Sequence, residues 1–218
     1  VLPEVDAPRV QRLLFDSKAA GRQTSCHVFT PQVYEVAKEQ RFPVLYWLHG
    51  TEGGLPGIPQ LVAFFDRAMQ DGRLPPMILV FPNGLAGSMW CDSKDGSTPI
   101  ETIVIKELIP HIDATYRTIA AREGRIIEGF SMGGYYAPRA AAMEPRFAAC
   151  VAWGGHWDYH ESWVRRRKIM ETGGTKLSAP SFQLPWVLGM PDMDACMKKL
   201  ENYRLTGVAE KMRCPFYC

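Results

Sequence analysis

The sequence predicts an α/β fold: a mostly parallel central sheet of about eight strands, with helices on both faces and a short cap. Short apolar runs alternate with longer amphipathic ones along the chain, as strands joined by crossover helices do. Two runs, Phe42-Pro43-Val44-Leu45-Tyr46-Trp47-Leu48 and Met77-Ile78-Leu79-Val80-Phe81, are apolar at every position. A strand covered on both faces reads that way. The length, 218 residues, suits one domain, residues 1–218, with a sizeable core.

Residues 10–15 and 25–36 read as opening strands with Gly21 in the turn between them. Together they form a hairpin, so the sheet has an antiparallel edge. After strand 42–48, residues 58–70 carry Leu61, Phe64, Phe65 and Met69 on one helical stripe. Strand 77–81 precedes a helix over 100–116, with Ile103, Ile105, Leu108, Ile109 and Ile112 as its apolar positions and Pro110 as a kink. Strand 125–129, an Ala-rich helix over 135–143 and strand 147–153 follow. A cap built on the basic segment 161–170 leads to strand 182–188. A helix over 194–212, interrupted near Gly207, and strand 213–218 close the chain.

Composition narrows the function. A formal net charge of +2 leaves no footprint for nucleic acid, and the basic run Arg165-Arg166-Arg167-Lys168 reads as a solvated helix face. No apolar run reaches the length of a membrane span. The chain starts at Val1 with neither a methionine nor a signal-peptide pattern, the look of a mature form or an excerpt from a longer chain. Of six cysteines, Cys26 and Cys150 sit in apolar runs and read as buried thiols, while Cys196, Cys214 and Cys218 cluster closely enough for one bridge. The compartment is left open, leaning to a secreted protein.

Gly129-Phe130-Ser131-Met132-Gly133 is a G-x-S-x-G motif between an apolar strand and an Ala-rich helix. In that setting the serine stands on a sharp, strained turn with its hydroxyl exposed at a helix N-terminus. Ser131 is therefore the expected nucleophile. The run Leu48-His49-Gly50-Thr51-Glu52-Gly53-Gly54 ends the strand over 42–48, and a glycine-bearing loop there brings main-chain amides to a substrate carbonyl oxygen. The expected oxyanion donors are the N–H groups of Thr51 and Met132. His49 reads as a structural hydrogen-bonder beneath that loop.

Val44 to Gly54 (V-L-Y-W-L-H-G-T-E-G-G), Trp90 with Asp92-Ser93, Glu107 to Arg117 (E-L-I-P-H-I-D-A-T-Y-R) and Gly129 to Gly134 (G-F-S-M-G-G) occur here in one order and spacing. The combination resembles the esterase D / feruloyl esterase type of α/β-hydrolase, related to S-formylglutathione hydrolases and mycolyltransferases. The likeness is strong over about residues 10 to 155. It implies Ser, Asp and His in that chain order, backbone oxyanion donors, and no metal or organic cofactor. It also implies an acid in the loop after the strand that follows the cap. Gly189-Met190-Pro191-Asp192 fits that place, with Asp194 as the rival better suited to capping the next helix.

All five histidines, His27, His49, His111, His156 and His160, precede Asp192. His27 and His111 read as structural. His156 and His160 follow a strand at the sheet edge where active-site loops gather, and are substitute bases out of the family's order. The expected base lies beyond residue 218. The reading is a serine esterase for short-chain or aromatic, feruloyl-like esters, free or carried on a polysaccharide, with Trp90 and Trp157 placed to flank an aromatic or sugar group. Two rivals stay open: an acyltransferase on the same site, and a catalytically dead hydrolase fold kept as a binding module.

Overall fold

The computed structural model describes residues 1–50, 54–85, 88–172 and 183–218. Its centre is a seven-stranded sheet in the order β1-β2-β4-β3-β5-β6-β7. Strands β1 (Val10–Ser17) and β2 (Arg22–Phe29) form the expected hairpin, and β2 lies antiparallel to β4 (Ile78–Pro82). From β4 onward every pairing is parallel, through β3 (Val44–Leu48), β5 (Arg125–Phe130), β6 (Ala149–Trp153) and β7 (Phe216–Tyr217). Every residue of β3 and β4 is buried, as their unbroken apolarity requires. This is the fold of an α/β-hydrolase.

The two faces are covered unequally. Helix α1 (Ile58–Gln70) packs on Phe29, Leu45, Trp47 and Leu79. The opposite face takes α2 (Ile100–Thr102), α3 (Ile109–Thr115) and α4 (Met132–Met143). It also takes the cap helices α5 (Tyr159–Glu171), α6 (Gln183–Leu188) and α7 (Met193–Leu200). Handedness explains the imbalance. From β4 to β5, β6 and β7 the chain steps across the sheet in one direction, and right-handed crossovers then fall on one face. Only the step from β3 back to β4 runs the other way, and it carries α1.

Several expectations are corrected. The strand expected over 25–36 ends at Phe29, because Pro31 has no N–H for the ladder and the chain turns into a short 3₁₀ segment. The strand expected over 182–188 is helix α6; Phe182 itself lies outside the described residues. Leu184, Val187 and Leu188 are all buried, and their three-and-four spacing marks a helix face. The helix expected over 194–212 stops at Leu200, with a 3₁₀ turn at Ala209–Lys211 after Gly207, whose φ is 76°. On α1 the buried stripe is Ile58, Val62, Phe65 and Met69, and Phe64 points outward, 59% exposed. All six cysteines are free, so no bridge joins Cys196, Cys214 or Cys218.

Pro110 acts through hydrogen bonding more than through bending. Between α2 and α3 the chain forms a π segment, Ile103–Leu108, in which Ile109 donates its N–H to the Val104 carbonyl five residues back. The next such bond would run from residue 110 to Ile105, and proline has no N–H to give. The Arg146 guanidinium fills the vacancy, donating to the Ile105 carbonyl at 3.0 Å and to the Glu144 carboxylate at 2.8 Å.

Where β5 begins, Arg125 is nearly buried and donates to Asp113 of α3 at 2.6 Å, while Thr118 Oγ1 donates to the same carboxylate at 2.7 Å. Removing one partner of such a pair leaves an uncompensated buried charge. Asp113→Ala should therefore lower unfolding free energy by about 3–5 kcal/mol in urea titration. A loss below about 1 kcal/mol, the ordinary value of an exposed pair, would show that Arg125 finds other solvation.

Candidate active site

The chain leaves β3 toward β4 on one side and β5 toward β6 on the other. Their carboxyl ends therefore diverge, and ligands bind at such a switch point in open α/β sheets. Leu48 pairs with Gly129, which sets the loop beginning at His49 against the turn at Ser131. A Cβ placed on Gly50 would stand 3.1 Å from Ser131 Cβ.

Ser131 has φ 54° and ψ −113°, a region costing an L-residue about 1–3 kcal/mol. Its N–H donates to the Trp153 carbonyl at 2.9 Å, continuing the β5–β6 ladder one step into the turn. The flanking glycines are steric necessities. A Cβ on Gly129 would meet the Gly133 carbonyl oxygen at 2.0 Å, and one on Gly133 would meet the Leu48 oxygen at 2.1 Å. Met132 opens α4, so its amide belongs to the first turn, whose N–H groups have no partner within the helix. Thr51, the other expected oxyanion donor, lies outside the described residues.

His49 is half-buried and structural. Its Nδ1 lies 2.7 Å from the Gly50 carbonyl, its ring packs 4.7 Å from Trp90, and Trp90 Nε1 donates to the His49 carbonyl at 3.0 Å. Burial lowers its pKa. Trp90 is thus a wall beneath the loop, 7% exposed, and does not flank an open site. Trp157 is exposed and donates to Thr206 Oγ1 at 2.9 Å. His27 is tied to the Pro3 carbonyl at 2.9 Å, and His111 stacks on Phe15.

Asp192 does the work expected of Asp194. Its carboxylate accepts from Ala195 N at 2.8 Å and caps α7, while Asp194 pairs with Arg167. The strand from which Asp192 was read as an acid is helix α6, so Asp192 sits among the cap helices. The strand that follows the cap in the sheet is β7, ending at Tyr217.

Ser131 lies on a cavity of about 950 Å³ between α1 and the ends of β3, β5 and β6. Its walls are Trp47, Leu61, Phe64, Phe65, Phe130 and Trp153, joined by Glu128 and Arg166. Phe130 and Trp153 meet edge to face at 5.4 Å. Neither His156 nor His160 lines it. His156 shares a 2.9 Å hydrogen bond with Ser162 Oγ, and burial, then Arg166 and Arg165, lower its pKa. The sequence reading missed Phe64, Phe130, Trp153, Glu128 and Arg166. Glu128 carried a signal, a carboxylate directly after two isoleucines in an inner strand of the sheet.

Glu128 is 8% exposed, and burial pushes its carboxyl from 4.5 up to about 7. The folded state holds this proton longer than the unfolded chain, so stability falls as pH rises from 4.5 through 7 and is level above. The loss attributable to this group is about 3 kcal/mol. Urea unfolding across that window should show the fall in the native protein and its absence in Glu128→Gln; parallel pH profiles would contradict the assignment.

Comparison with known proteins agrees with this geometry. The Esterase family model matches residues 17–195. Esterase Rv1288 of Mycobacterium tuberculosis is 30% identical over 217 residues, spanning 90% of this chain and 44% of that protein. An endo-1,4-beta-xylanase/feruloyl esterase of Xylanibacter ruminicola is 31% identical over 139 residues, spanning 60% of this chain and 19% of its own length. The chain thus spans less than half the length of these curated relatives. The solved structure of a ferulic acid esterase superposes with a TM-score of 0.61 at 26% identity, over 90% of this chain and 72% of that one. With the family matched over more than half its length, the chain belongs to the Esterase family of α/β-hydrolases.

Proposed function

We propose that this protein cleaves carboxylic esters through a Ser131 acyl-enzyme, with short-chain or aromatic, feruloyl-like acyl groups as substrates. The observation that carries the reading is Ser131 itself, held at φ 54° at the switch point and opening onto an aromatic-walled cavity. The Ser131 oxygen attacks the acyl carbon, its proton passes to a base, and the carbonyl oxygen takes up negative charge facing the amides of Met132 and Thr51. The alcohol leaves with a proton, and water then releases the acid. The fold and the relatives named feruloyl esterase support this assignment.

The base is the open member. No histidine lines the cavity among the described residues. The same observation favours the rival reading, a hydrolase fold kept for binding.

Labelling decides between them. A fluorophosphonate should label Ser131 rapidly, and Ser131→Ala should abolish the label with little change in Tm. Labelling at another residue would remove Ser131 from the role, and no labelling would favour the binding module.

Substrate range follows from the cavity. Its broad aromatic walls and open mouth suit short or planar acyl groups better than long flexible chains. Relative kcat/KM on acetyl, butyryl, hydroxycinnamoyl and palmitoyl esters should place palmitoyl last. A palmitoyl preference would overturn this shape argument.

A further inference from the structure

Three consecutive arginines on α5 have different surroundings. Arg165 pairs with Glu161, and Arg167 pairs with both Glu171 and Asp194. Arg166 between them has no carboxylate partner among the described residues. Its guanidinium lies over the ring of Trp163, 5.2 Å from the centroid, and Trp163 is itself 2% exposed. A cation stacked on a fixed, buried ring is held in place before any ligand arrives. Arg166 is also the one of the three that lines the Ser131 cavity.

Among the described lining residues the only other ionisable group is Glu128, on the sheet floor, and burial keeps that carboxyl protonated below about 7. Below that pH the described lining therefore presents aromatic walls, the Ser131 hydroxyl and one positive charge. An apolar pocket with one placed ionic group fixes orientation and specificity through that group. A guanidinium presents paired N–H donors that match a carboxylate.

We propose that Arg166 is a specificity-determining residue that binds an anionic group, a carboxylate by its geometry, carried by the ester substrate. This rests on the reading of Ser131 as the nucleophile. The carboxylate comes either from the acyl part, as in a monoester of a dicarboxylic acid, or from the alcohol part, as in an ester of a hydroxy acid or acidic sugar.

The test uses isosteric pairs, so that charge alone changes. Monoethyl succinate against ethyl succinamate probes the acyl side. Acetoxyacetate against acetoxyacetamide probes the alcohol side. Binding is read from quenching of tryptophan fluorescence, since Trp47 and Trp153 line the cavity, so the measurement needs no turnover. In one pair the carboxylate should bind about tenfold or more tightly than the amide, with the preference shrinking as salt rises. Arg166→Gln should erase that ratio and Arg166→Lys should keep part of it. Arg166→Glu should transfer the preference to ethyl 4-aminobutyrate, a gain that no misfolded variant would show. Equal binding within both pairs, or a preference that survives Arg166→Gln, would overturn the proposal. Fluorophosphonate labelling of Ser131 reports separately on the nucleophile, so the two readings fail independently.

Discussion

At Ser131 the chain must change from strand to helix within a single residue while its neighbours stay in van der Waals contact with three other elements. Its N–H is tied to β6, Gly133 presses on the Leu48 carbonyl of β3, and Gly129 presses on the first turn of α4. The positive φ persists because each contact is backbone against backbone, where nothing can relax. The spacing of β3, β5 and β6 and the seating of α4 all depend on that turn. Strain here is stored in a place the surrounding sheet over-determines, which is how a strained residue survives in a marginally stable molecule.

The sheet's connectivity then decides where chemistry can occur. Successive crossovers in one direction load one face with helices, and the single reversed step puts α1 on the other. Among the described residues Phe130 and Trp153, at the ends of β5 and β6, are 42% and 63% exposed on that side. Ser131 stands at the edge of this opening, so one topological choice supplies both the crevice and its aromatic walls. It also buries Glu128, whose carboxyl is pushed up to about 7, and sets Arg166 as the cationic group among the described lining residues.

Legibility in the sequence followed the range of the interactions involved. The hairpin, β3, β4, β5 and α1 were readable because each is specified by its own alternation or by continuous apolarity. The segment 183–188 was misread because Leu184, Pro185, Trp186, Val187 and Leu188 form a short apolar run that suits a buried strand or a buried helix equally. Asp192, read as the acid from that strand, caps α7. Pro110 was seen as a disruption, but its remedy, the Arg146 guanidinium on the Ile105 carbonyl, lies 41 residues away and had no local signature.

The sequence by itself determined the strained turn at Ser131, because its requirements are steric and contiguous: two glycines flanking a serine between an apolar strand and a small-residue helix. It likewise determined the parallel sheet, since strands covered on both faces cannot hide their composition. The tertiary structure alone decided which side chains wall the cavity, which arginine of three faces it, and which carboxyl is buried beneath it. Those outcomes depend on which surfaces meet across the switch point, and a side chain's neighbours there are set by sheet order and crossover handedness, not by its own place in the chain.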